Sequence, residues 1–404
     1  MLTFGPDTIN SPIALYVHIP FCETKCPYCD FNTYAGIEPL MGQYVDSLVA
    51  EIALWGNTLG SPQVRTVFFG GGTPSYLPQD SIGSVIAAIN NNFEVQPGAE
   101  VTMEANPGDL TLQKLEALRG LGINRLSIGV QSFDDDLLQL LGRRHTSDQA
   151  TIAFHVAAEA GFENVSIDLM YGLPHQDVET WQRTLDQACG LRPKHISMYC
   201  LTLEEGTPLH QWVKIGRFPD PDPDLAADMY EAAQHTMGAL AYRHYEISNW
   251  AQPGYESLHN LVYGRNEPYL GVGPGAHSYL ADHRFANLNS PREYIKKLTN
   301  LERAQSGRAP SSQEQFPPAP TVEYVERIDK KLAIAETLMM GLRLDTGIDV
   351  REFTSRFGVP PDQVHGETIV ELTSLGLLES TNGSIRLTQR GRMLGNEVFS
   401  RFFE

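Results

Sequence analysis

Three of the chain's five cysteines fall within eight residues, as Cys22-Glu-Thr-Lys-Cys26-Pro-Tyr-Cys29. This C-x3-C-x2-C spacing limits the segment's chemistry. Three thiolates can hold three irons of a four-iron cluster and leave the fourth iron open. An open iron binds a small chelating ligand, such as the amino and carboxylate groups of S-adenosylmethionine. A fully ligated cluster only passes electrons. Structural zinc is the competing reading, but it needs a fourth Cys or His in a matching second pair, and no second C-x2-C exists here. His18 is near in sequence but belongs to the preceding strand, so the cluster is favoured.

Around this motif the sequence alternates between strand and helix signatures. Strand-like runs at residues 14–19, 66–69, 100–103, 125–130, 165–170 and 195–201 are separated by helical patterns at 40–54, 81–90, 112–121, 150–160 and 181–189. Such switching between periods of 2 and 3.6 predicts βα units on a parallel sheet. Polar residues follow the strands: Cys22 onward, Gly70 onward, Glu104, Gln131 and Asp168. Active sites of α/β barrels gather at such strand ends. Six units instead of eight predict an α/β fold built on a partial, open (β/α)6 TIM-like barrel. Beyond residue 218 the pattern changes. A helical stretch at 225–240 is followed by residues 259–263 and then by a glycine-rich stretch, Gly271-Val-Gly-Pro-Gly275. Residues 303–320 are polar and proline-rich and read as a linker. The remainder, 321–404, carries a long helical pattern at 324–342, two further helices, a strand at 384–387 and a closing helix at 391–403. It reads as a small winged-helix-like domain. The expected division is 1–218 for the barrel with its cluster, 219–302 for an α+β extension, 303–320 for the linker and 321–404 for the last domain.

Formal net charge is −19. This disfavours a nucleic-acid partner and a DNA-binding regulator, both of which need a concentrated basic surface. No stretch approaches a membrane helix, and residues 1–10 do not read as a secretory signal. The cysteines form no secreted disulfide framework, so a reducing cytoplasm is expected. Cys189 and Cys200 read as buried small hydrophobes.

Further sites are weaker when taken alone. Gly70-Gly71-Gly72-Thr73-Pro74 follows a strand, where bare backbone lets a ligand approach closely and Thr73 adds a hydroxyl. Glu104, Gln131, Arg143 and Asp168 supply carboxylates, an amide and a cation, the inventory a zwitterionic ligand with a ribose needs. His259, in His259-Asn-Leu-Val-Tyr263, is either a buried hydrogen-bonded histidine or a haem ligand, and its chemistry alone favours the first. His277, in Gly-Ala-His-Ser-Tyr, is a second candidate. With no Cys-x-x-Cys-His, covalent c-type attachment is excluded.

Residues 16–31 resemble the cluster segment of radical S-adenosylmethionine proteins. More narrowly they resemble the group that holds oxygen-independent coproporphyrinogen III dehydrogenase and its haem-chaperone relative. Gly70–Pro74, Glu104-Ala-Asn-Pro107, Gly129-Val-Gln-Ser-Phe133, Leu141-Gly-Arg143 and Ile167-Asp-Leu-Met-Tyr-Gly-Leu-Pro174 match further motifs in order, over nearly the whole chain. The resemblance implies a [4Fe–4S] cluster on Cys22, Cys26 and Cys29, with Tyr16 positioning S-adenosylmethionine near it. Tyr28 would lie near adenine and Gly71, Gly72 and Thr73 at the methionine moiety. Glu104, Gln131, Arg143 and Asp168 would complete the site. It singles out no catalytic residue and leaves open whether the chain is an enzyme.

Three features favour the chaperone. Phe31 stands where the dehydrogenase has another cysteine, the stretch ahead of Tyr16 is short, and residues 259–263 resemble a His-Asn-x-x-Tyr-Trp haem motif. The motif's tryptophan position is Gly264, which supplies no ring to pack on a porphyrin, and Tyr263, Tyr269 and Tyr279 are the aromatic candidates for that role. The implied activity is carriage of haem, as cargo, to haem-requiring apo-proteins, membrane respiratory complexes included. That implies a cytoplasmic protein with peripheral contact at the inner membrane face, with homodimerisation open. The alternative is decarboxylation of coproporphyrinogen propionates by a 5′-deoxyadenosyl radical.

Overall fold

The computed structural model describes residues 11–305 and 319–403, so residues 1–10 and most of the expected linker at 303–320 lie outside it. The described residues form two compact units. Those up to Met229 pack with Pro268–Glu326, and Tyr230–Glu267 pack with the chain from Arg327 onward.

In the first unit six parallel strands run in sequence order: β1 (Ile13–Ile19), β2 (Gln63–Gly71), β3 (Glu94–Ala105), β4 (Arg125–Gln131), β5 (Asn164–Tyr171) and β6 (His195–Cys200). Beyond β1 the sheet continues through Tyr269–Val272, parallel to β1, and then through His277–Leu280, His283–Asn287 and Val322–Arg327. The barrel is therefore open. Helices Met41–Leu59, Gln79–Asn92, Leu112–Gly120, Ser147–Glu159 and Val178–Gly190 provide the crossovers. Their starts are written in the sequence. Thr111 and Asp177 cap two of them, and Thr146 and Gln149 form a reciprocal capping box on a third.

Directly paired residues share a sheet face, so the register sorts every side chain. Leu15, Val17, Val67, Phe69, Met103, Leu126, Ile128, Ile167, Leu169 and Met198 fall on one face and are buried. This is the face that right-handed crossovers cover with helices. The opposite, inner face is polar. It carries Tyr16 and His18 from β1, Thr102 and Glu104 from β3, Arg125 and Ser127 from β4, Ser166 and Asp168 from β5, and His195 and Ser197 from β6.

One buried carboxylate ties the late strands to the first crossover helix. Both oxygens of Glu51 accept hydrogen bonds: from Gly273 N (2.7 Å) and Tyr294 Oη (2.6 Å) on one, from Asn287 Nδ2 (2.8 Å) and Thr321 Oγ1 (2.9 Å) on the other. Burial pushes its pKa up, and these donors pull it back.

The second unit contains the hairpin Arg243–Glu246/Asn249–Ala251, helix Leu258–Gly264 and helix Lys330–Leu342. It ends in two helices, Val350–Phe357 and Pro361–Ser374, beside a three-stranded sheet ordered Ile348–Asp349, Ser384–Leu387, Leu378–Thr381, which is a winged-helix-like arrangement. The helical reading of residues 324–342 is corrected at its start. Val-Glu-Tyr-Val-Glu-Arg alternates and is β-branched and aromatic, so Val322–Arg327 is a strand. The helix begins only where Asp329 accepts from Leu332 N at 2.9 Å. Cys200 is also corrected: it is exposed at the end of β6.

Replacing Glu51 by Ala removes the shared acceptor of four buried donors, and leaves Gly273 N and Tyr294 Oη without it while Asn287 Nδ2 and Thr321 Oγ1 keep second acceptors in Gly273 O and Asn287 Oδ1. The cost expected is about 3 kcal/mol or more, read as a lowered urea midpoint for Glu51→Ala against wild type.

Candidate functional site

The cluster motif lies in the loop after β1. The Gly70–Pro74 loop leaves β2 alongside it: Gly72 N donates to Ile19 O (2.7 Å) and Thr73 N to Phe21 O (2.8 Å). A Cβ on Gly72 would stand 2.7 Å from Phe21 O and 3.1 Å from Cys22 Sγ, so only glycine permits this approach. Gly71 needs glycine twice. Its φ is +108°, and a Cβ would fall 2.5 Å from His18 Cε1.

Each cysteine sulfur has a polar neighbour. Thr73 Oγ1 donates to Cys22 Sγ (3.5 Å), Arg143 Nη1 donates to Cys26 Sγ (3.5 Å), and Thr33 Oγ1 lies 3.9 Å from Cys29 Sγ. Burial raises the thiol pKa of Cys22 and Cys29, while the Thr73 and Thr33 hydroxyls act the other way. Among the described residues no three His, Cys, Asp or Glu side chains close on a single ion-sized point. The loop is clamped from outside: Arg144 pairs with Glu23 and, at 2.9 Å, with Asp109.

The remaining candidates meet on the inner face above. Gly71 N donates to Glu104 Oε2 at 3.2 Å. A Cβ on Gly70 would lie 3.1 Å from both Glu104 Oε2 and Tyr16 Cε2. One on Gly129 would lie 3.0 Å from Gln131 Nε2 and 3.4 Å from Arg143 Nη2. Gln131 ends β4 in the left-handed region (φ +69°), beside a register break, and this irregular backbone is where its amide is aimed. Asp168 accepts from Ser127 Oγ at 3.0 and 2.8 Å and from Ser166 Oγ at 3.1 Å. Ser166 Oγ in turn lies 2.8 Å from His195 Nδ1. Arg143 Nη2 donates to Gly129 O (2.6 Å), and its buried Nε has no hydrogen-bond partner among the described residues. Tyr28 packs on the apolar cluster of Leu137, Leu141, Met170 and Leu173.

Tyr16, Cys22, Cys26, Tyr28, Cys29, Gly71, Gly72, Thr73, Glu104, Gln131, Arg143 and Asp168 are thus brought together. Each is half-buried, on the inner face of the strands or in the segments that follow them. Burial first, then the Asp168 charge, lifts Glu104 to about 8, and the Gly71 N–H only partly offsets them. Asp168 is also raised by burial, against the pull of Ser127, Ser197, Arg125 and Ser166. At neutral pH Glu104 therefore holds a proton that it can donate.

Sequence reading missed His18, Thr33 and the serines around Asp168. His18 bridges Tyr16 Oη and Asn32 O, both at 3.0 Å. The available signal was alternation: His18 is two residues from Tyr16, and Ser166 two from Asp168, each pair on one face.

His259 is not among this group. It belongs to the second unit and is buried, with Nε2 2.9 Å from Tyr263 Oη and the rings edge to face. Gly264 is buried too. A Cβ there would stand 2.7 Å from Leu344 Cδ2, so this conformation has no room for an indole.

The fold defines a member of the radical SAM superfamily, whose family model matches residues 16–188, followed by a HemN C-terminal domain at residues 328–394. The chain is 36% identical to the haem chaperone HemW of Bacillus subtilis over 96% of its own length and 98% of the relative's. It is 35% identical to that of Lactococcus lactis over 98% of each. It is also 37% identical, over 85% of its length, to the mouse mitochondrial radical S-adenosyl methionine domain-containing protein 1, covering 76% of it. The chain belongs to the HemW family. The solved structure of Escherichia coli coproporphyrinogen III oxidase (HemN) matches 97% of the chain and 90% of its own with a TM-score of 0.81. At 24% identity that likeness establishes the fold.

A carboxyl group raised to about 8 in the folded chain stays protonated where the unfolded chain has ionised, so its contribution falls between about pH 4.5 and 8. Glu104→Gln, which cannot ionise, is expected to flatten the loss of stability of the ligand-free chain between pH 6 and 8, measured by urea denaturation at both.

Proposed function

We propose that this chain is a haem chaperone: it binds haem and delivers it to haem-requiring apo-proteins, with a [4Fe–4S] cluster and S-adenosylmethionine held in its first unit. The observation that carries this reading is the similarity to HemW proteins along almost the full length, through both units.

The residues present suit the cofactors. Three soft sulfur donors, each with a hydroxyl or guanidinium neighbour, suit an iron–sulfur cluster on Cys22, Cys26 and Cys29. When bound, the cluster supplies single electrons and one iron with an open position. Bare backbone at Gly71 and Gly72, with the Thr73 hydroxyl, forms the cradle for a methionine moiety. Arg143 Nε is an unmet buried donor suited to a carboxylate. Gln131 offers an amide beside it. Asp168, oriented by Ser127 and Ser166, suits ribose hydroxyls, while protonated Glu104 supplies a hydrogen-bond donor. Tyr16 stands at Glu104, and Tyr28 extends the apolar wall towards adenine.

His259 is the haem ligand of this reading. Its Nε2 faces the Tyr263 hydroxyl, so ligation through that nitrogen exchanges one hydrogen bond for an iron bond. The acidic surface complements basic patches on recipients, respiratory membrane complexes among them. The five free cysteines suit a reducing cytoplasm.

Anaerobic titration of the cluster-loaded chain with haem is expected to give saturable binding with a shifted Soret band, weakened in His259→Ala, while Cys22→Ser loses cluster absorption. A wild-type chain with no saturable haem binding would contradict the reading.

A further inference from the structure

Behind Asp168 the inner face carries a chain of polar groups. Ser166 and Asp168 stand two residues apart on β5 and so share that face. Across to β6, Ser166 pairs with His195 and Asp168 with Ser197. Across to β4, Ser166 pairs with Ser127 and Asp168 with Gly129. The Gln131 amide and the Arg143 guanidinium stand beside Gly129, so the chain that starts at His195 opens on the candidate cofactor site. His195, Ser166, Ser127 and Ser197 are all buried. Interior positions of a closed barrel are branched and apolar, and polar groups are stable there only with their hydrogen bonds made.

The directions of those bonds follow from the protons available. Asp168 accepts from Ser127 Oγ at 3.0 and 2.8 Å and lies 3.1 Å from Ser166 Oγ, which is 2.8 Å from His195 Nδ1. Burial raises the pKa of Asp168, and the Ser127, Ser197 and Ser166 hydroxyls and the Arg125 charge oppose it. With Glu104 protonated, Asp168 is the anion of the two. An ionised carboxylate only accepts, so the single hydroxyl proton of Ser166 points at Asp168. Ser166 Oγ is then an acceptor towards His195, and Nδ1 carries the hydrogen. Burial, with the Arg125 charge, lowers the pKa of the imidazole and keeps it neutral. It therefore has one N–H, and the chain assigns it to Nδ1. The reverse tautomer would turn a Ser166 lone pair onto the Asp168 anion.

We propose that His195 is a positioning residue for S-adenosylmethionine: its Nδ1–H fixes the Ser166 hydroxyl as a donor to Asp168, which then presents a fixed anionic acceptor to the ribose hydroxyls. The inference rests on the reading of Asp168 as the ribose acceptor. It adds a residue that touches no ligand and acts through two hydrogen bonds, as outer partners of metal ligands do. Without the Nδ1 donor, the Ser166 hydroxyl is free to turn away and the carboxylate loses one of the groups that set its plane.

The test measures the affinity of the full, cluster-loaded chain for S-adenosylmethionine and for an analogue lacking both ribose hydroxyls, by anaerobic equilibrium dialysis. The chains are wild type, His195→Leu, His195→Asn and Ser166→Ala. Leucine keeps bulk without a donor, while the asparagine amide offers an N–H where Nδ1 stands. His195→Leu is expected to bind S-adenosylmethionine about tenfold more weakly than wild type, with His195→Asn within about threefold of wild type. Ser166→Ala should match the leucine variant, and all four chains should bind the analogue alike. Unchanged affinity in His195→Leu overturns the inference. So does equal weakening for both ligands, or an asparagine variant as weak as the leucine one, since each marks His195 as packing alone. Far-UV circular dichroism and cluster absorption report that each variant is folded. If His195→Leu fails that check, Ser166→Ala decides: a loss confined to the ligand with ribose hydroxyls supports the chain, and its absence overturns it. A wild-type chain that binds neither ligand, or both alike, instead defeats the cofactor reading of Asp168 itself, so the two failures are distinct.

Discussion

The candidate site of the first unit depends on burying charge on the inner face of a parallel sheet. A closed α/β barrel fills its interior with branched apolar side chains. Here the interior positions hold Glu100, Arg125, Ser127, Ser166, Asp168, His195 and Ser197. An unpaired polar group in such a place costs more than a made hydrogen bond returns, so the strands are held in the one register that gives Asp168 its serines and Ser166 its histidine. A slip by one residue would turn the polar set into the helix layer and the apolar set inward. The same register delivers Glu104 next to Asp168, and that like-charge proximity helps to keep Glu104 protonated.

Around this face, backbone close approach does what side chains cannot. Gly71 and Gly72 lie against His18 and the cluster loop at distances no Cβ tolerates. Gly273 does the same on the other side, where a Cβ would be 2.5 Å from His18 O, and Tyr44 Oη donates to that carbonyl. Glu51 fixes Gly273 in turn. Loop, glycine stretch and first crossover helix are thereby one hydrogen-bonded assembly. In the second unit, close packing has the opposite consequence. Gly264 lets helix Leu258–Gly264 press on Leu344, which takes the space a motif tryptophan would need and leaves Tyr263 as the aromatic partner of His259.

Much of this was legible in the sequence. Cysteine spacing, six strand-like runs alternating with helical ones and polar residues placed after strands led to the open barrel and to the set of residues at its mouth, because each is a local signal. The rest depended on pairing. Strands such as His277–Leu280 are four residues long, too short for alternation to register, and Val322–Arg327 shares its apolar spacing with the helix after it. Cys200 reads as apolar filling, yet it is the exposed last residue of β6. Thr33, Asn32 and His195 are ordinary residues whose roles exist only through partners distant in sequence. Family resemblance supplied roles for Arg143 and Gln131. Geometry adds that two of Arg143's nitrogens already serve Cys26 and Gly129.

The barrel is proposed to serve haem carriage and not propionate decarboxylation. The direct measurement is to incubate the anaerobically reconstituted chain with reductant, S-adenosylmethionine and coproporphyrinogen III, beside an active coproporphyrinogen dehydrogenase, and to follow the porphyrins by mass spectrometry. No decarboxylated product is expected from this chain while the reference enzyme converts its substrate. S-adenosylmethionine-dependent loss of carboxyl groups would contradict it and make the chain a dehydrogenase.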